Sequence, residues 1–595
     1  MELQPSTLRS YKYQSLPACS SFRILELLAG QVEDEISIRL HLADWKSPPP
    51  YEAISYAWGS MKVKVDILCY GSTLRITPNL RHALLKMRRK DSSRYLWADA
   101  VCINQEDISE RGHQVNIMIK IYQNASRVLV WLGSDEYGHA ERAMAAVDEI
   151  SNVCCQESKI LVPDLRMVED LGSLVTTQFK NLECNSPGSW YSVSWLFSRK
   201  WFSRIWVFQE VNAGPEVLVM CGESEISWDA VAMAAYYIRT FPELYNSNSL
   251  PQSFYENATY MRTFFDDNDS ILHLLHIARR LHCHDPRDRV YAMLGMSIFT
   301  TLDPPIQANY VKSKLDVYQE VAEVYFKHYS NLDILSLVQH DQSLDDDLPS
   351  WVPFWDQGMR RNVILDELSP RKQIMSLNIP NTVSIDPQAR VLTVTGFTFD
   401  TITASEEVNS QEWYLSPSDN MDLHPVLQFW MRNYKSAARY VTGELVTDVF
   451  VKVLTAGLDY KGAEPVTGTR GIQTDFNEFM LHLLERAGEN AGLYTQVRQK
   501  SGYGNALSFR HRAAQLGWNR SFFATSKGYL GLGPNTLRVG DAVTILRGGA
   551  MPYIQRAKNG HHQLVGEAYV HGIMEVELTK QWRNRQLKEE IFEIR

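Results

Sequence analysis

The sequence predicts an α/β protein: a parallel-sheet domain first, a mainly helical region after it, and a small β-rich module at the end. Three observations carry this reading. Residues 94–133 read as strand, helix and strand with short joints, a unit that implies a parallel sheet and a right-handed crossover. Residues 225–340 and 425–515 read as mainly helical. Residues 520–580 are strand-like runs broken by glycine turns, as in "GYLGLGPNTLRVGDAVTILRGG", the pattern of a small barrel or sandwich.

The elements follow in order. Residues 22–42 read as two short strands around a turn, and the proline run at 47–50 separates them from "YEAISYAWGS" at 51–60. There Ile54 and Tyr56 point one way along a strand, Ala53 and Ser55 the other. Trp58 and Gly59 fall where that strand should stop. Residues 63–77 form a predicted hairpin. A helix over 79–89 places Leu80, Leu84 and Met87 on one face. "RYLWADAVCI" (94–103) is a nearly continuous apolar run, as expected of a strand covered on both faces. Residues 104–125 then predict a helix. Asp107 and Glu110 have capping-box spacing, and Val115, Met118, Ile119 and Tyr122 form its buried stripe. Residues 126–133 predict a second buried strand. A further helix is expected near 139–151. "WFSRIWVFQEVNAG" (201–214) reads as one helix closed by Gly214, followed by the strand "EVLVMCG". Asp285 is placed to cap a helix through "PRDRVYAMLGM", with Pro286 at its favoured first position. Residues 380–402 have strand character. The expected division is 1–50, strands packing on the first domain; 51–224, the parallel-sheet domain; 225–380, mainly helical; 381–515, strand then helical; and 516–595, the β-rich module.

Bulk properties narrow the function. At 595 residues the chain has room for roughly three domains. Its net charge of −9 and pI near 6.0 argue against a general nucleic-acid binder. The eight cysteines include no CxxC pair, and several lie in apolar runs. They read as buried free thiols in a reducing compartment. The first residues lack a signal-peptide pattern, and no apolar run approaches the ~18–20 residues of a membrane span. The expectation is a cytoplasmic protein with no membrane association. "HCHD" at 282–285 lacks the second ligand cluster that structural zinc needs, so no metal is expected. Vicinal Cys154 and Cys155 have no electropositive motif beside them to activate a thiolate. GxSxG, HExxH, Walker A and GxGxxG patterns do not occur, which removes support for the common hydrolase, protease and nucleoside-triphosphate readings.

Several blocks together resemble a known family. "YEAISYAWGS", "LWADAVCINQEDISERGHQVNIMIKIYQNASRVLVWLG" and "WFSRIWVFQEV" resemble the three signature blocks of the fungal heterokaryon incompatibility (HET) domain. "DPRDRVYAMLGM" and "GYLGLGP…GDAVTILRGGAMPYIQR…LVGEAYVHGIM" resemble the downstream part of its long members, the heterokaryon incompatibility protein 6-like group. The resemblance implies a role in fungal non-self recognition and a programmed cell-death response. It also implies an incompatibility partner protein whose identity the sequence does not reveal, and assembly as a homo-oligomer. The HET domain is remotely similar to the TIR domain, which implies a TIR/flavodoxin-like parallel sheet. Some TIR domains cleave NAD with a glutamate in a Trp-Cys-x-x-Glu motif. Trp206 and Glu210 have that spacing, with Val207 in place of the cysteine. The implied enzyme is a NAD glycohydrolase with NAD as substrate and no cofactor. The rival is a non-enzymatic, self-associating signalling or adaptor module.

The residues allow both. Glu210 lies in the last turns of the predicted 201–214 helix, where the dipole opposes a carboxylate. Helix stability therefore does not account for it. Trp206 is one turn away on the same face. The ring could stack on a base while Glu210 faces the anomeric carbon, since carboxylates stabilise the oxocarbenium-like state of glycosidic cleavage. The structural alternative is a salt bridge from Glu210 to Arg204 or Arg111. Ligands of doubly wound sheets sit off the carboxyl ends of strands. Ser55, Tyr56, Trp58 and Gly59 fall at one such end, and Asp99, Asn104 and Gln105 follow a second. These seven are expected to rim the pocket, with Gly59 allowing a tight turn. For Tyr56 and Trp58 the alternative is a role as core anchors.

Overall fold

The computed structural model describes residues 9–60, 62–158, 186–241, 252–263, 270–340, 348–358, 360, 363–364, 383–408, 429–430, 433, 438–457, 471–487, 491–501, 504–574 and 588–595. Parts of the expected irregular stretch 134–198, of the helical regions 225–340 and 425–515, and of the 520–580 tail lie outside these residues, as does Cys184. The chain divides into two units, Met1–Val317 and Tyr318–Arg595.

In the first unit, apolar strands build one nine-stranded sheet. They are β1 (Ser21–Leu27), β2 (Ser37–Asp44), β3 (Glu52–Tyr56), β4 (Val65–Cys69), β5 (Ser72–Ile76), β6 (Arg94–Trp97), β7 (Val128–Trp131), β8 (Val217–Cys221) and β9 (Ser224–Ser227). The spatial order is β5-β4-β2-β1-β6-β3-β7-β8-β9. The expected parallel sheet is its centre: β6, β3, β7 and β8 run parallel. In chain order these four stand second, first, third and fourth. That order reverses direction between the first and third strands and opens a crevice at their carboxyl ends. The flanks are mixed: β1 is antiparallel to β2 and β6, and β9 to β8. All five residues of β3 are buried, so its alternation does not mark a wet face. The strand is central and covered on both sides.

Helices α1 (Pro78–Met87), α2 (Asp99–Cys102), α3 (Ile108–Asn124), α4 (Ala140–Ser158), α5 (Pro187–Phe197), α6 (Val207–Ala213), α7 (Trp228–Thr240), α8 (Gln252–Thr263), α9 (Ile271–Ala278) and α10 (Asp288–Tyr291) complete the elements needed to place the site. Two expectations change here. The apolar run 94–103 is not one strand. After Trp97 the Asp99 carboxylate accepts the Ala100 N–H at 2.7 Å, and the Cys102 N–H reaches back to the Ala98 carbonyl at 2.8 Å. The chain thus turns into α2 at the carboxyl end of β6. Residues 201–214 are likewise not one helix. A 3-10 turn, Lys200–Ser203, ends at Arg204, which is extended at φ −82°, ψ 135°. The His282 N–H donates to Ser203, and the His282 carbonyl accepts from Ile205. This backbone bridge from a distant segment interrupts the helix, and α6 begins only at Val207.

Helix α3 starts where Asp107 accepts from the Ser109 and Glu110 N–H groups. Glu110 does not return the bond to Asp107, as a capping box would. Its carboxylate takes the Asn104 N–H and pairs with Arg23 at 2.6 Å. Of the predicted stripe, Met118 and Tyr122 are buried, while Val115 and Ile119 are only half-buried. Gly112, Gln114 and Ile121 complete the buried set. The face is rotated because α3 is also covered by later residues: Asn116 exchanges two hydrogen bonds with Ala308, and Gly295 lies against Ile119.

In the second unit the tail strands β12 (Arg520–Thr525), β13 (Leu530–Pro534), β14 (Ala542–Leu546), β15 (Tyr553–Lys558), β16 (His561–Glu567), β17 (Tyr569–Val570) and β18 (Glu590–Ile594) join two earlier ones, β10 (Ser384–Asp386) and β11 (Val391–Val408). Strand β11 pairs with β12, β14 and β18. The pairing β14-β15-β16-β18-β11 returns to β14 and closes a ring. Phe397, Phe399, Ile402, Phe523, Val543 and Ile554 are among the residues of its core.

One close approach gives a stability test. A Cβ at Gly214 would overlap Val128 Cγ2 on β7. Overpacking of this kind costs about 1–3 kcal/mol. Gly214→Ala is therefore expected to lower the denaturation midpoint of the first unit, read by urea titration.

Candidate functional site

The site grows from the carboxyl end of β3. Its last residues, Ser55 and Tyr56, pair with Val130 and Trp131 of β7, which fixes them at the reversal of strand order. Ser55 is buried. Its hydroxyl donates to Glu210 Oε2 and accepts from the indole N–H of Trp201 at 2.7 Å. Trp201 is fully buried and packs edge-on against Trp228 at 5.5 Å, so this donor is held rigidly. From the other side Arg204 Nη1 lies 3.4 Å from each Glu210 oxygen. Glu210 is 3% exposed. The chain Trp201, Ser55, Glu210, Arg204 therefore joins β3, the 3-10 turn and α6.

The interrupted helix changes the electrostatics of Glu210. It sits in the first turn of α6, near the positive end of the dipole, not in the last turns of a longer helix. The backbone favours a carboxylate there. Of the two salt-bridge alternatives, Arg204 is the partner. Arg111 stacks over Tyr310 at 4.0 Å and lies 3.8 Å from Asp285.

A second acid stands beside the first. Asp99 accepts the indole N–H of Trp58 at 2.8 Å, and the Asp99 backbone carbonyl accepts from Gln105 Nε2 at 2.9 Å. The buried Tyr56 hydroxyl lies close to Asp99 without meeting a partner in hydrogen-bonding geometry. Burial pushes the Glu210 carboxyl above its ordinary range; Arg204 and Ser55 oppose this, and Asp99 adds to it. Burial also raises Asp99, against Arg204 and the Trp58 bond. Burial works against the Arg204 charge, but Glu210 and Asp99 outweigh it and hold the guanidinium firmly protonated. Burial raises the phenols of Tyr56 and Tyr122 far above their usual range. One cation thus faces two acids, an arrangement that favours a proton on one carboxyl and suits acid–base work.

The remaining predicted residues distribute as follows. Gly59 adopts φ +75°, the left-handed turn expected of it. Asn104 joins the Glu110–Arg23 pair through its N–H. Trp206 caps α6 by position, without a side-chain cap bond, and its indole N–H donates to Asp288 at 3.1 Å. The structure therefore brings Ser55 to Glu210, and Trp58, Tyr56 and Gln105 to Asp99. Asn104 and Trp206 engage other partners. Sequence reasoning did not single out Trp201 or Asp288, and it named Tyr122 only within a buried helix stripe. The signal for Asp288 was an acid in the charged "DPRDR" stretch just before the apolar "VYAML" run.

Residues 51–210 match the family model described as heterokaryon incompatibility protein (HET), and the match ends on Glu210. The chain carries a HET domain. Residues 498–592 match the Het-6 beta-barrel domain, which agrees with the closed ring of the second unit. The chain is also similar to "Heterokaryon incompatibility protein 6, OR allele" of Neurospora crassa, at 24% identity over 94% of each chain. No solved structure matches. Within the HET domain, the first and last signature blocks meet at the Ser55–Glu210 bond. No helix among the described residues is long and apolar enough to cross a membrane.

The buried pair predicts a strong asymmetry. Arg204→Met strands the Glu210 charge and should cost about 3–5 kcal/mol. Adding Glu210→Gln should recover a large part of that loss. A double-mutant cycle on denaturation midpoints measures the coupling.

Proposed function

We propose that this chain is a fungal incompatibility protein that acts in the cytoplasm, signals non-self recognition and triggers cell death through a TIR-like HET domain with NAD glycohydrolase activity. The similarity to the Neurospora crassa protein along nearly the whole chain supports the biological role. The reversing order of the four parallel strands supports a TIR-like ligand crevice. The chemistry rests on one observation: Glu210, buried and pushed up, is held by Ser55 and Arg204 at the carboxyl end of β3.

In this reading the C1′–N bond of the nicotinamide ribose breaks and its electron pair leaves with nicotinamide. The positive charge on the ribose is then stabilised by the Glu210 carboxylate. Water adds at C1′ and loses a proton, giving ADP-ribose. Ser55 holds Glu210 in orientation, Arg204 sets its proton affinity, and Asp99 with Tyr56 and Trp58 offers polar and aromatic groups to the ribose and base. Asp288 fixes the orientation of the Trp206 ring through its N–H.

A second reading has its own support. Both Glu210 oxygens are already partnered and only 3% of the residue is exposed, as for a purely structural carboxylate. The HET domain would then signal by self-association, without chemistry.

Nicotinamide release by the purified full chain separates the two. Wild type should release it, and Glu210→Gln should slow release on the order of 10²-fold or more, the scale of a lost acid–base group. Equal turnover in both forms would sink the catalytic assignment. Toxicity on overexpression that survives Glu210→Gln with fold and assembly intact would favour self-association.

A further inference from the structure

Helix α6 has seven residues and no side-chain N-cap. So short a helix does not hold itself together in water. Its place is set from outside, by Ser55 and Arg204 at Glu210 and by a second set of partners beyond the matched HET span. The Ile205 N–H donates to the His282 carbonyl. Gln209 Nε2 donates to the carbonyls of Tyr291 and Ala292 at 3.3 and 3.0 Å. Asn212 Nδ2 donates to the Met261 carbonyl at 2.7 Å. Trp206 donates to Asp288 Oδ2, and Asp288 Oδ1 accepts from the Tyr310 hydroxyl at 2.7 Å. Of this second set, the contact at Trp206 alone ends on a titratable side chain.

We propose that Asp288 is a positioning residue for Glu210, a latch that seats the start of α6 through Trp206 and Tyr310 and tightens when it takes up a proton. The inference rests on the reading of Glu210 as the reacting carboxylate. Asp288 is hydrogen-bonded to Trp206 and Tyr310, not to Glu210, and it acts through the helix.

The surroundings of Asp288 give the latch its direction. Burial raises its carboxyl to about 6; the bonds from Tyr310 and Trp206 and the charge of Arg111 oppose the rise, and Asp285 adds to it. Arg287 is paired to Asp285 at 2.7 Å. If the latch opens, Asp288 meets water and returns to an ordinary value of about 4. The seated form therefore binds a proton more tightly than the open form. Protonation favours the seated state most fully below the lower value, and that advantage is lost as pH rises through the higher one. By linkage, the seated-to-open ratio should be about tenfold larger at pH 5 than at pH 7. A protonated Asp288 still offers Trp206 an acceptor oxygen.

Hydrogen–deuterium exchange on the full chain tests this, with amide protection of residues 207–213 corrected for intrinsic rates. In wild type, protection should rise about tenfold from pH 7 to pH 5. Asp288→Asn keeps the acceptor without the titration, so its profile should be flat. Tyr310→Phe removes a bond that favours the charged form, so its rise should begin at a higher pH. A flat wild-type profile, or an unchanged slope in Asp288→Asn, overturns the latch. Nicotinamide release is followed in the same samples. If no form releases it while the exchange profiles behave as expected, the latch stands and the catalytic reading of Glu210 falls.

Discussion

A carboxylate taken out of water must be compensated by donors and charge, and the compensation of Glu210 is what the first unit is built around. Uncompensated, its burial would cost several kcal/mol. The compensation comes from two pieces of chain far apart in sequence: Ser55 on the central strand, and Arg204 on the extended break with the first turn of α6 just after it. Neither is a good partner alone. The Arg204 contacts are long at 3.4 Å, and Ser55 is held only because the Trp201 indole fixes its oxygen. Asp99 crowds the same guanidinium. The result is a carboxyl that stays paired yet keeps an elevated proton affinity. That combination suits chemistry better than it suits stability.

The extended break at Arg204 makes this possible. A continuous helix over 201–214 would have placed Glu210 near the helix's negative end, opposing its charge. The His282 backbone, pairing with Ser203 and Ile205, shortens the helix and moves Glu210 into its first turn. A segment outside the recognised domain thus sets the sign of the dipole acting on the residue that closes that domain. Residues further on, Gly295 and Ala308, cover α3, so that Gly112 and Gln114 are buried in place of Val115 and Ile119.

Much of this was legible in the sequence, and the losses have a common cause. The parallel core was readable because its strands are short apolar runs flanked by turns, and α1 and α3 because their spacing and caps are local. Ser55 and Asp99 could be named because strand ends carrying polar residues mark the crevice side of such sheets, and Glu210 because its spacing from Trp206 matches a TIR motif. The break at Arg204 was not legible. "WFSRIWVF" is apolar on all sides, and the feature that stops the helix lies some eighty residues later. The Trp206 N–H bond to Asp288 was not legible for the same reason, since Asp288 is remote in sequence. The strand character of 380–402 was visible, but its membership in the tail's ring was not, because register between distant strands leaves no local signature.

That ring has a consequence for how the chain is made. Strand β11 and strand β18 pair with Leu392 opposite Ile594, about 200 residues apart. A ribosome adding roughly 5–20 residues per second exposes β11 for some ten seconds or more before its partner exists. Until β12 and β14 emerge, most of this 18-residue strand offers unpaired backbone groups to any neighbour, including the same strand of a nascent copy on the next ribosome, and its Leu392–Gly396 stretch waits for β18. The outward residues Glu406 and Glu407 are exposed, and like charges there discourage such pairing. Closure thus waits for β18, the last strand of the ring to emerge.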